Sequence, residues 1–327
     1  MAHDNFLYAS LKKVLHIPEK IPPFVQIAVT NLCNKDCKMC IRFQVPIEQR
    51  HMPLADFKTI VDRIRGARAV TLVGMGEPLL YPELIEAIRY CRLKGLDTRL
   101  TTNGILLRQK AAELVEAGLG SIHVSMENVR QEELKEDLLN LMGEQEKRGK
   151  NTPEIVLQPI LFEDPGRGRT VQDVYDVISW AAEHGIKKVN IARVDKRTDP
   201  TMQRPGVEQE QVIFRELAKL RRQYRIRIDC LQDQVYSGLK GKLYKFMKPL
   251  LRLDSFCYRL LDYVYIDVNG NVHPCPIDMG QIMGNIFQES LEEIWHGERF
   301  SSIRENQQKY AFCRKCDFLK LKQINGV

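Results

Sequence analysis

The chain has 327 residues, and its 44% hydrophobic and 28% charged content is typical of a globular protein, which excludes long disorder and collagen-like sequence. The 49 basic and 42 acidic residues leave a formal net charge of +7, which permits an anionic substrate without requiring one. The chain has no apolar run of about 18 residues and no signal-peptide pattern, so we predict a cytoplasmic protein that does not bind membranes.

The nine cysteines are the most informative part of the composition. Their odd number means that disulfides cannot pair all of them, and a chain of this length can bury a core without disulfides. In a reducing compartment, grouped cysteines indicate metal binding or catalysis. The spacing of the cysteines along the chain therefore carries much of the functional prediction.

Apolar, often β-branched runs alternate with amphipathic segments over most of the chain. Between these runs, apolar residues recur at helical spacing, as Phe57, Ile60, Val61 and Ile64 do. This alternation predicts a parallel sheet, open or barrel-like, with ligands at the carboxyl ends of its strands. The predicted strands are Val25–Thr30, Ala69–Val73, Thr98–Thr102, Ser121–Ser125, Glu154–Ile160, Lys188–Val194 and Ile226–Cys230, the last being either an extra strand or a link.

The alternation stops near residue 235, after which a basic, apolar linker is predicted. Residues 263–268 and 271–275 have the pattern of a β-hairpin, joined by Asn269 and Gly270 in an I′-type turn. A capping box then opens a helix predicted over residues 290–304.

Cys33, Cys37 and Cys40 form a C-x3-C-x2-C motif just after the first predicted strand. Three thiolates are one short of a structural zinc site, and they leave one iron of a [4Fe–4S] cluster without a protein ligand. The alternatives are a zinc site or an incidental group of cysteines. The spacing resembles that of the radical S-adenosylmethionine (SAM) superfamily.

The resemblance implies that the open iron binds the amino and carboxylate groups of SAM. In the superfamily, the reduced cluster cleaves SAM to a 5′-deoxyadenosyl radical, which abstracts hydrogen from the substrate. The residue before the last cysteine of the motif packs near the adenine in that family, and here it is Met39.

Two later motifs resemble parts of the superfamily's SAM site. Gly74-Met75-Gly76-Glu77-Pro78 resembles the family's GGEP motif, which implies that Gly74, Gly76 and Glu77 hold the SAM amino group. The sequence T-T-N-G after the third strand resembles the family's T-N-G and implies a SAM contact by Asn103. Each motif on its own is also compatible with an ordinary turn.

The next strands add weaker candidates. Ser125 and Glu127 correspond to the family's S-x-D, which implies contacts with the SAM ribose, although Glu replaces Asp. Gln158 and Arg193 are polar residues in otherwise apolar strands, and Arg193 is a candidate partner of the SAM carboxylate, with a surface salt bridge as the equal alternative.

A second group of four cysteines lies downstream. Four thiolates can close a zinc site or ligate a whole [4Fe–4S] cluster. The arrangement C-x(9–15)-G-x4-C followed by C-x2-C resembles the SPASM/Twitch extension of radical SAM enzymes, in its shorter Twitch form. This implies one auxiliary [4Fe–4S] cluster, acting either as an electron acceptor or as a structural element, with the ligands Cys257, Cys275, Cys313 and Cys316.

Three further residues complete the site prediction. Asp278 follows Cys275 by three residues and is a candidate catalytic base, with a hydrogen-bonded loop aspartate as the alternative. Cys91 and Cys230 belong to neither group and are predicted to be core thiols.

The resemblance implies an α/β fold, a partial (β/α)6 TIM-like barrel with a small C-terminal Twitch-type iron–sulfur domain of a β-hairpin plus helix. We predict an N-terminal extension at 1–21, the barrel at 22–235, and a linker with the auxiliary cluster domain at 236–327.

The predicted function is reductive cleavage of SAM and hydrogen abstraction from a small-molecule or peptide substrate, with net oxidation or rearrangement. The cofactors are SAM and two [4Fe–4S] clusters, the reductant is a flavodoxin or ferredoxin, and no nucleic-acid partner is expected. The alternatives are maturation of a peptide or cofactor, or a non-catalytic zinc or Fe–S binding module.

Overall fold

The computed structural model describes residues 17–163, 168, 170–194, 203–230, 257–314 and 316. Its strands are β1 (Phe24–Ala28), β2 (Ala69–Val73), β3 (Asp97–Thr102), β4 (Ser121–Val124), β5 (Glu154–Leu157), β6 (Ile160–Leu161), β7 (Lys188–Arg193), β8 (Arg227–Cys230), β9 (Tyr263–Ile266), β10 (Asn271–His273) and β11 (Gly284–Asn285). Its helices are α1 (Leu54–Arg63), α2 (Leu84–Leu93), α3 (Leu107–Ala117), α4 (Glu132–Lys147), α5 (Val171–Glu183), α6 (Val207–Tyr224), α7 (Leu291–His296), α8 (Glu298–Asn306) and α9 (Ala311–Arg314).

Within the described residues, eleven strands form one sheet in the order β11-β10-β9-β1-β2-β3-β4-β5-β7-β6, with β8 also paired to β7. Neighbouring strands from β1 to β5 pair in parallel, as do β5 with β7 and β7 with β8. Six β-strands, β1 to β5 and β7, are each followed by a helix, which confirms the predicted α/β architecture. The run predicted at 154–160 is divided into β5 and β6 around Pro159, which has no N–H to donate to a sheet.

One face of the sheet is covered by helices, and the other, here called the open face, carries several half-buried polar side chains. Val25 and Ile27 are at most 1% exposed and belong to the same core as Phe57 and Ile60 of α1. Gln26 lies between them in β1 and is only half-buried. Successive side chains of a strand point to opposite faces, so this alternation places Gln26 on the open face.

The C-terminal hairpin extends this sheet. β9 runs parallel beside β1, with Phe24 opposite Tyr263, and β10 pairs antiparallel with β9. The predicted I′-type turn is wrong, because such a turn needs positive φ at both central residues and only Gly270, at φ 78°, has it. The Gly270 N–H donates to the Asp267 carbonyl over 3.0 Å, as in a type I turn closed by a glycine.

The helix predicted over residues 290–304 is two helices. The Ser290–Glu293 capping box opens α7 as expected. The chain is extended at Gly297, with ψ 163°, and α8 starts directly after it. A Cβ at Gly297 would lie 2.9 Å from the Glu293 carbonyl oxygen, so this close break favours glycine.

The predicted boundary between 22–235 and 236–327 lies outside the described residues, as do residues 1–16 of the N-terminal extension. Residues 17–21 lie against the C-terminal region: the Glu19 N–H donates to the Leu261 carbonyl, and the Trp295 indole donates to the Glu19 carbonyl over 2.7 Å. Among the helices of the described residues, none is both long and apolar enough to span a membrane.

Candidate functional site

The loop after β1 carries the first cysteine group. Cys33, Cys37 and Cys40 are half-buried, and the Cys40 N–H donates to the Cys37 carbonyl over 3.0 Å. Burial raises the pKa of the Cys37 and Cys40 thiols, and the charge of Cys33 raises both further, so the three sulfurs lie near one another. Three neighbouring thiols in one loop, with no fourth from that loop, fit a cluster with an open iron.

The two glycines of the second motif allow this loop to pack against the loop after β2. A Cβ at Gly74 would lie 2.2 Å from the Thr30 carbonyl oxygen, and one at Gly76 would lie 2.2 Å from that of Leu32. Real Cβ atoms do not approach so closely, so both positions require glycine. The close approach is therefore between two backbone segments, and it fixes the position of Cys33, the next residue after Leu32.

Glu77 connects the second motif to the T-T-N-G motif. It is 2% exposed, and its Oε1 accepts hydrogen bonds from the Thr102 hydroxyl at 2.6 Å and the Leu79 N–H at 3.0 Å. Its Oε2 accepts from the Asn103 N–H at 2.7 Å. Burial raises the pKa of Glu77, while the bonds from Asn103 and Thr102 lower it. A carboxylate accepts about four hydrogen bonds, so one acceptor site remains for an ammonium group.

Further contacts join the cysteine loop to β3 and β4. The Asn103 amide donates to Asn34 Oδ1 over 2.9 Å, and Lys35 Nζ lies 4.0 Å from Glu127 Oε1. Lys35 also lowers the pKa of the Cys37 thiol. The sequence prediction did not include Thr102, Asn34 or Lys35. Their positions inside the quoted motifs are the only signal that marks them.

The remaining predicted contacts lie in the cysteine loop and just after β4 and β5. Met39 packs against Phe162 and Val194 near the ends of β6 and β7. The Ser125 N–H donates to the Thr102 carbonyl and the Gln158 N–H to that of Val124. These positions follow from the parallel sheet, and the SAM contacts of Met39, Ser125 and Gln158 stay predictions.

Arg193 is not brought to the cysteine loop. Its side chain points to the same face of the sheet as Val189 and Ile191, the face that is covered by helices. Its Nε lies 2.8 Å from Glu210 Oε1 of α6. Glu210 is 1% exposed, so this is a buried ion pair between β7 and α6. The contact of Arg193 with the SAM carboxylate stays a prediction that this pairing does not support.

The second cysteine group lies around the hairpin. Burial raises the pKa of the Cys257 thiol to about 12, and the charges of Cys316 and Cys275 contribute to this shift. The charge of Cys316 also raises the pKa of Cys275. The Cys316 N–H donates to the Cys313 carbonyl over 2.9 Å. Backbone N–H groups of Ile277 and Asp278 donate to Cys275. These four thiols fit a cluster that is closed by protein ligands.

Asp278 is half-buried in the loop between β10 and β11. Its neighbour Met279 packs against an apolar cluster that includes Met75 of the second motif and Tyr265 of β9. The loop that carries Asp278 therefore reaches from Cys275 toward the Gly74–Gly76 region. Cys91 and Cys230 are 0% and 3% exposed in the core, as predicted.

Gln307 holds the first cysteine of this group. It is 2% exposed; its Oε1 accepts from the Cys257 N–H at 2.6 Å, and its Nε2 donates to the Arg304 carbonyl at 3.0 Å.

Replacing Gln307 with alanine leaves two buried groups, the Cys257 N–H and the Arg304 carbonyl, without a partner. We therefore expect the free energy of unfolding to fall by about 2–3 kcal/mol and the auxiliary cluster to lose iron. Iron content and urea unfolding measure the effect. Asn306→Ala, next to it, is the control, and an equal iron loss there would contradict the assignment.

The open face carries polar, half-buried side chains on β1, β2, β3, β4 and β7, namely Gln26, Thr71, Thr101, His123 and Asn190. Burial, then the charges of Lys188 and Arg99, lower the pKa of His123 to about 4. The two cations are themselves paired, Lys188 with Glu154 over 3.3 Å and Arg99 with Asp97 over 2.9 Å. Among the described residues, no three Cys, His, Asp or Glu side chains are grouped as ligands of a single metal ion.

The His123 pKa predicts a pH dependence of stability. The folded pKa lies below the ordinary value of 6.5, so protonation favours the unfolded chain, and stability is lost as pH falls from 6.5 toward 4. We expect wild type to lose about 2 kcal/mol more than His123→Gln between pH 7 and pH 5, measured by urea unfolding at equal cluster content. Parallel losses in the two proteins would rule out this cause.

The fold and the site define a class of protein: a parallel (β/α) enzyme with one open and one closed set of iron–sulfur ligands. Residues 27–204, more than half of the chain, match the model of the Radical SAM superfamily, and the chain belongs to that superfamily. Residues 257–317 match the SPASM iron–sulfur cluster-binding domain. Both identifications agree with the resemblance found in the sequence.

Curated relatives are GTP 3′,8-cyclases. That of Chlorobaculum tepidum is 34% identical over 113 residues, 33% of this chain and only 34% of the relative. The probable GTP 3′,8-cyclase of Metallosphaera sedula is 27% identical over 309 residues, which is 88% of this chain and 94% of the relative.

Solved structures support the fold. SuiB of Streptococcus suis bound to S-adenosylmethionine superposes with a TM-score of 0.70 at 18% identity, covering 96% of this chain and 74% of SuiB. The structure of anSMEcpe with bound AdoMet gives 0.62 at 16% identity, covering 92% and 88% of the two chains. The predicted partial TIM-like barrel with a C-terminal iron–sulfur region is thereby confirmed, and the open face corresponds to the barrel interior.

The cofactors follow from the superfamily and from the two thiol sets. The chain is a radical SAM enzyme that uses SAM and two [4Fe–4S] clusters. Cys33, Cys37 and Cys40 are the residues that would hold the SAM-binding cluster. Cys257, Cys275, Cys313 and Cys316 are those that would hold the auxiliary cluster.

Proposed function

We propose that this enzyme abstracts hydrogen from a substrate in the barrel interior and carries out a net oxidation, with the auxiliary cluster as the electron acceptor. One observation carries the proposal: β9 pairs directly with β1, so the hairpin that ends at Cys275 joins the strand that leads to Cys33. The two cofactor regions therefore border one interior surface, where a substrate can face both.

The reaction balances in atoms and electrons. When bound, the cofactors supply a one-electron cleavage of SAM to methionine and an adenosyl radical, and an acceptor for one electron. The substrate loses a hydrogen atom to that radical and then one proton and one electron. The product is oxidised by two electrons, and an external reductant such as flavodoxin or ferredoxin supplies the first electron.

Residues of this chain orient the reactants. The free acceptor site of Glu77 suits the SAM amino group, and Lys35 and Glu127 offer a cation and an anion at the same mouth. Asp278 is the proposed base for the released proton, since its loop spans from Cys275 to Met75. The roles of Glu77 and Asp278 both depend on the packing of the loop after β2 against its neighbours.

The interior bears on the choice of substrate. The cations named on the open face, Lys188 and Arg99, are compensated by Glu154 and Asp97. These pairs lie toward the amino ends of their strands, and the half-buried polar side chains of the same face suit a polar small molecule or a peptide segment. Cyclisation of GTP is the second candidate, favoured by the alignment with the Metallosphaera sedula relative over 88% of this chain.

Anaerobic reconstitution tests the proposal. We expect about eight irons per chain, and 5′-deoxyadenosine on reduction with SAM. Incubation of the reduced enzyme with a metabolite extract, a peptide library or GTP, followed by mass spectrometry, should give a product two hydrogens lighter than its substrate. Conversion of GTP without loss of mass favours the second candidate, and bound zinc without SAM cleavage overturns both.

A further inference from the structure

Tyr263 of β9 carries a buried hydroxyl that has no hydrogen-bond partner within the part of the chain that the structure describes. The residue is 8% exposed. Burial raises the pKa of Tyr263 far above its usual value, so the phenol is a neutral donor. An unpaired buried hydroxyl costs roughly 1–3 kcal/mol, so an acceptor supplied by a bound group next to Tyr263 would stabilise this position.

The strand register shows what lies beside it. β9 and β10 pair Ile266 with Val272 and Tyr265 with His273. The ladder ends at the Tyr265–His273 pair; Tyr263 lies two residues before that pair and Cys275 two residues after it, so both lie at the same end of the hairpin. The charge of Cys275 acts on the Tyr263 phenol, in agreement with that placement.

Arg259 adds a positive charge at the same place. Its guanidinium carbon lies 5.0 Å from the centroid of the Tyr263 ring. Its charge lowers the pKa of both Cys257 and Cys275, against the larger effect of burial. Arg259 follows Cys257 by two residues and lies over the Tyr263 ring, so its positive charge is near this end of the hairpin.

We propose that the Tyr263 hydroxyl donates a hydrogen bond to sulfur of the auxiliary cluster, and that Tyr263 and Arg259 together raise the reduction potential of that cluster. The inference rests on the proposed function, since it supplies the reason why this cluster accepts an electron. Reduction adds a negative charge to the cluster. A donated hydrogen bond and a nearby cation both stabilise that charge, so both raise the potential.

The experiment is a redox titration of the full-length chain with Cys33, Cys37 and Cys40 replaced by alanine, so that only the auxiliary cluster remains. In Tyr263→Phe we expect the reduced-to-oxidised ratio at a fixed potential to fall about tenfold, equivalent to 59 mV for one electron. Electron paramagnetic resonance follows the reduced form.

Tyr265→Phe is the matched control. Tyr265 is 1% exposed on the same face of β9, and its hydroxyl is also unpaired, but its ring packs with Ala28 and Met75. Without clusters, both variants should be at least as stable as wild type, because each loses an unsatisfied hydroxyl. Only Tyr263→Phe should change the potential.

A second pair of variants tests the charge. Arg259→Gln should lower the potential, whereas Arg259→Lys, which keeps the charge, should retain most of it. An unchanged potential in Tyr263→Phe, an equal shift in Tyr265→Phe, or loss of cluster iron in Tyr263→Phe alone would overturn the tuning role. If wild type forms no oxidised product, the proposed function fails although the shift in potential can still be observed.

Discussion

Replacing Cys37 with alanine is expected to abolish SAM cleavage and to leave the auxiliary cluster in place. Cys37 lies in the loop after β1, and two thiols cannot hold the open cluster against exchange with solvent. The second thiol group is built around the hairpin, with Cys257 held by Gln307 rather than by that loop. Iron should fall from about eight to about four per chain. Iron analysis and 5′-deoxyadenosine formation under anaerobic reduction measure the two effects.

Cys91→Ala is the control for loss of a cysteine. Cys91 is 0% exposed on α2, so its removal leaves a small cavity without touching either thiol group. Its iron content and SAM cleavage should match wild type. Continued SAM cleavage by Cys37→Ala would show that the ligand assignment is wrong.

Gly76→Ala is expected to have the second largest effect. The new Cβ would lie 2.2 Å from the Leu32 carbonyl oxygen and 2.7 Å from its nitrogen, so one backbone segment has to move. That shift breaks the 2.8 Å bond from the Glu77 N–H to the Leu32 carbonyl and displaces Cys33. We expect a destabilisation of about 3 kcal/mol. SAM cleavage should fall about 100-fold, as displacements of about 1 Å at reacting groups can cause.

Gly143→Ala is the matched control for the glycine substitution. Gly143 lies in α4, and a Cβ there meets no atom within 4 Å. Alanine favours the helix by about 1 kcal/mol, so this variant should be slightly more stable and cleave SAM normally. Equal activities of the two variants would contradict the packing argument. Unfolding curves and 5′-deoxyadenosine assays on both proteins decide the outcome.

Much of the fold could be predicted because the signals are local. Strand β2 was predicted with the observed bounds, and β3 and β4 within one residue, since buried parallel strands are short apolar runs bounded by turns. The first cysteine group was also found from a local spacing. A motif that lies in one loop keeps its residues together whatever the rest of the chain does.

The errors arose where distant segments decide the geometry. Gly297 interrupts a helical pattern because the chain is extended there before α8 starts, and the Asn269-Gly270 turn closes with one positive φ instead of two. The two-residue spacing of Arg193 from Ile191 and Val189, which puts the three on one face of the strand, is visible in the sequence. It places the side chain toward Glu210, which only the packing of α6 against β7 reveals.

The sequence by itself determined the class of chemistry, because the ligand spacing and the order of the strand-end motifs are properties of the chain alone. Tertiary structure decided which motif residues act together. Glu77 meets Thr102 and Asn103 only after two parallel strands align. Tertiary structure also decided that β9 adds to β1 and that Tyr263 is buried in that strand. Pairing between strands more than 200 positions apart leaves no local pattern, since it depends on the register and burial of the whole sheet.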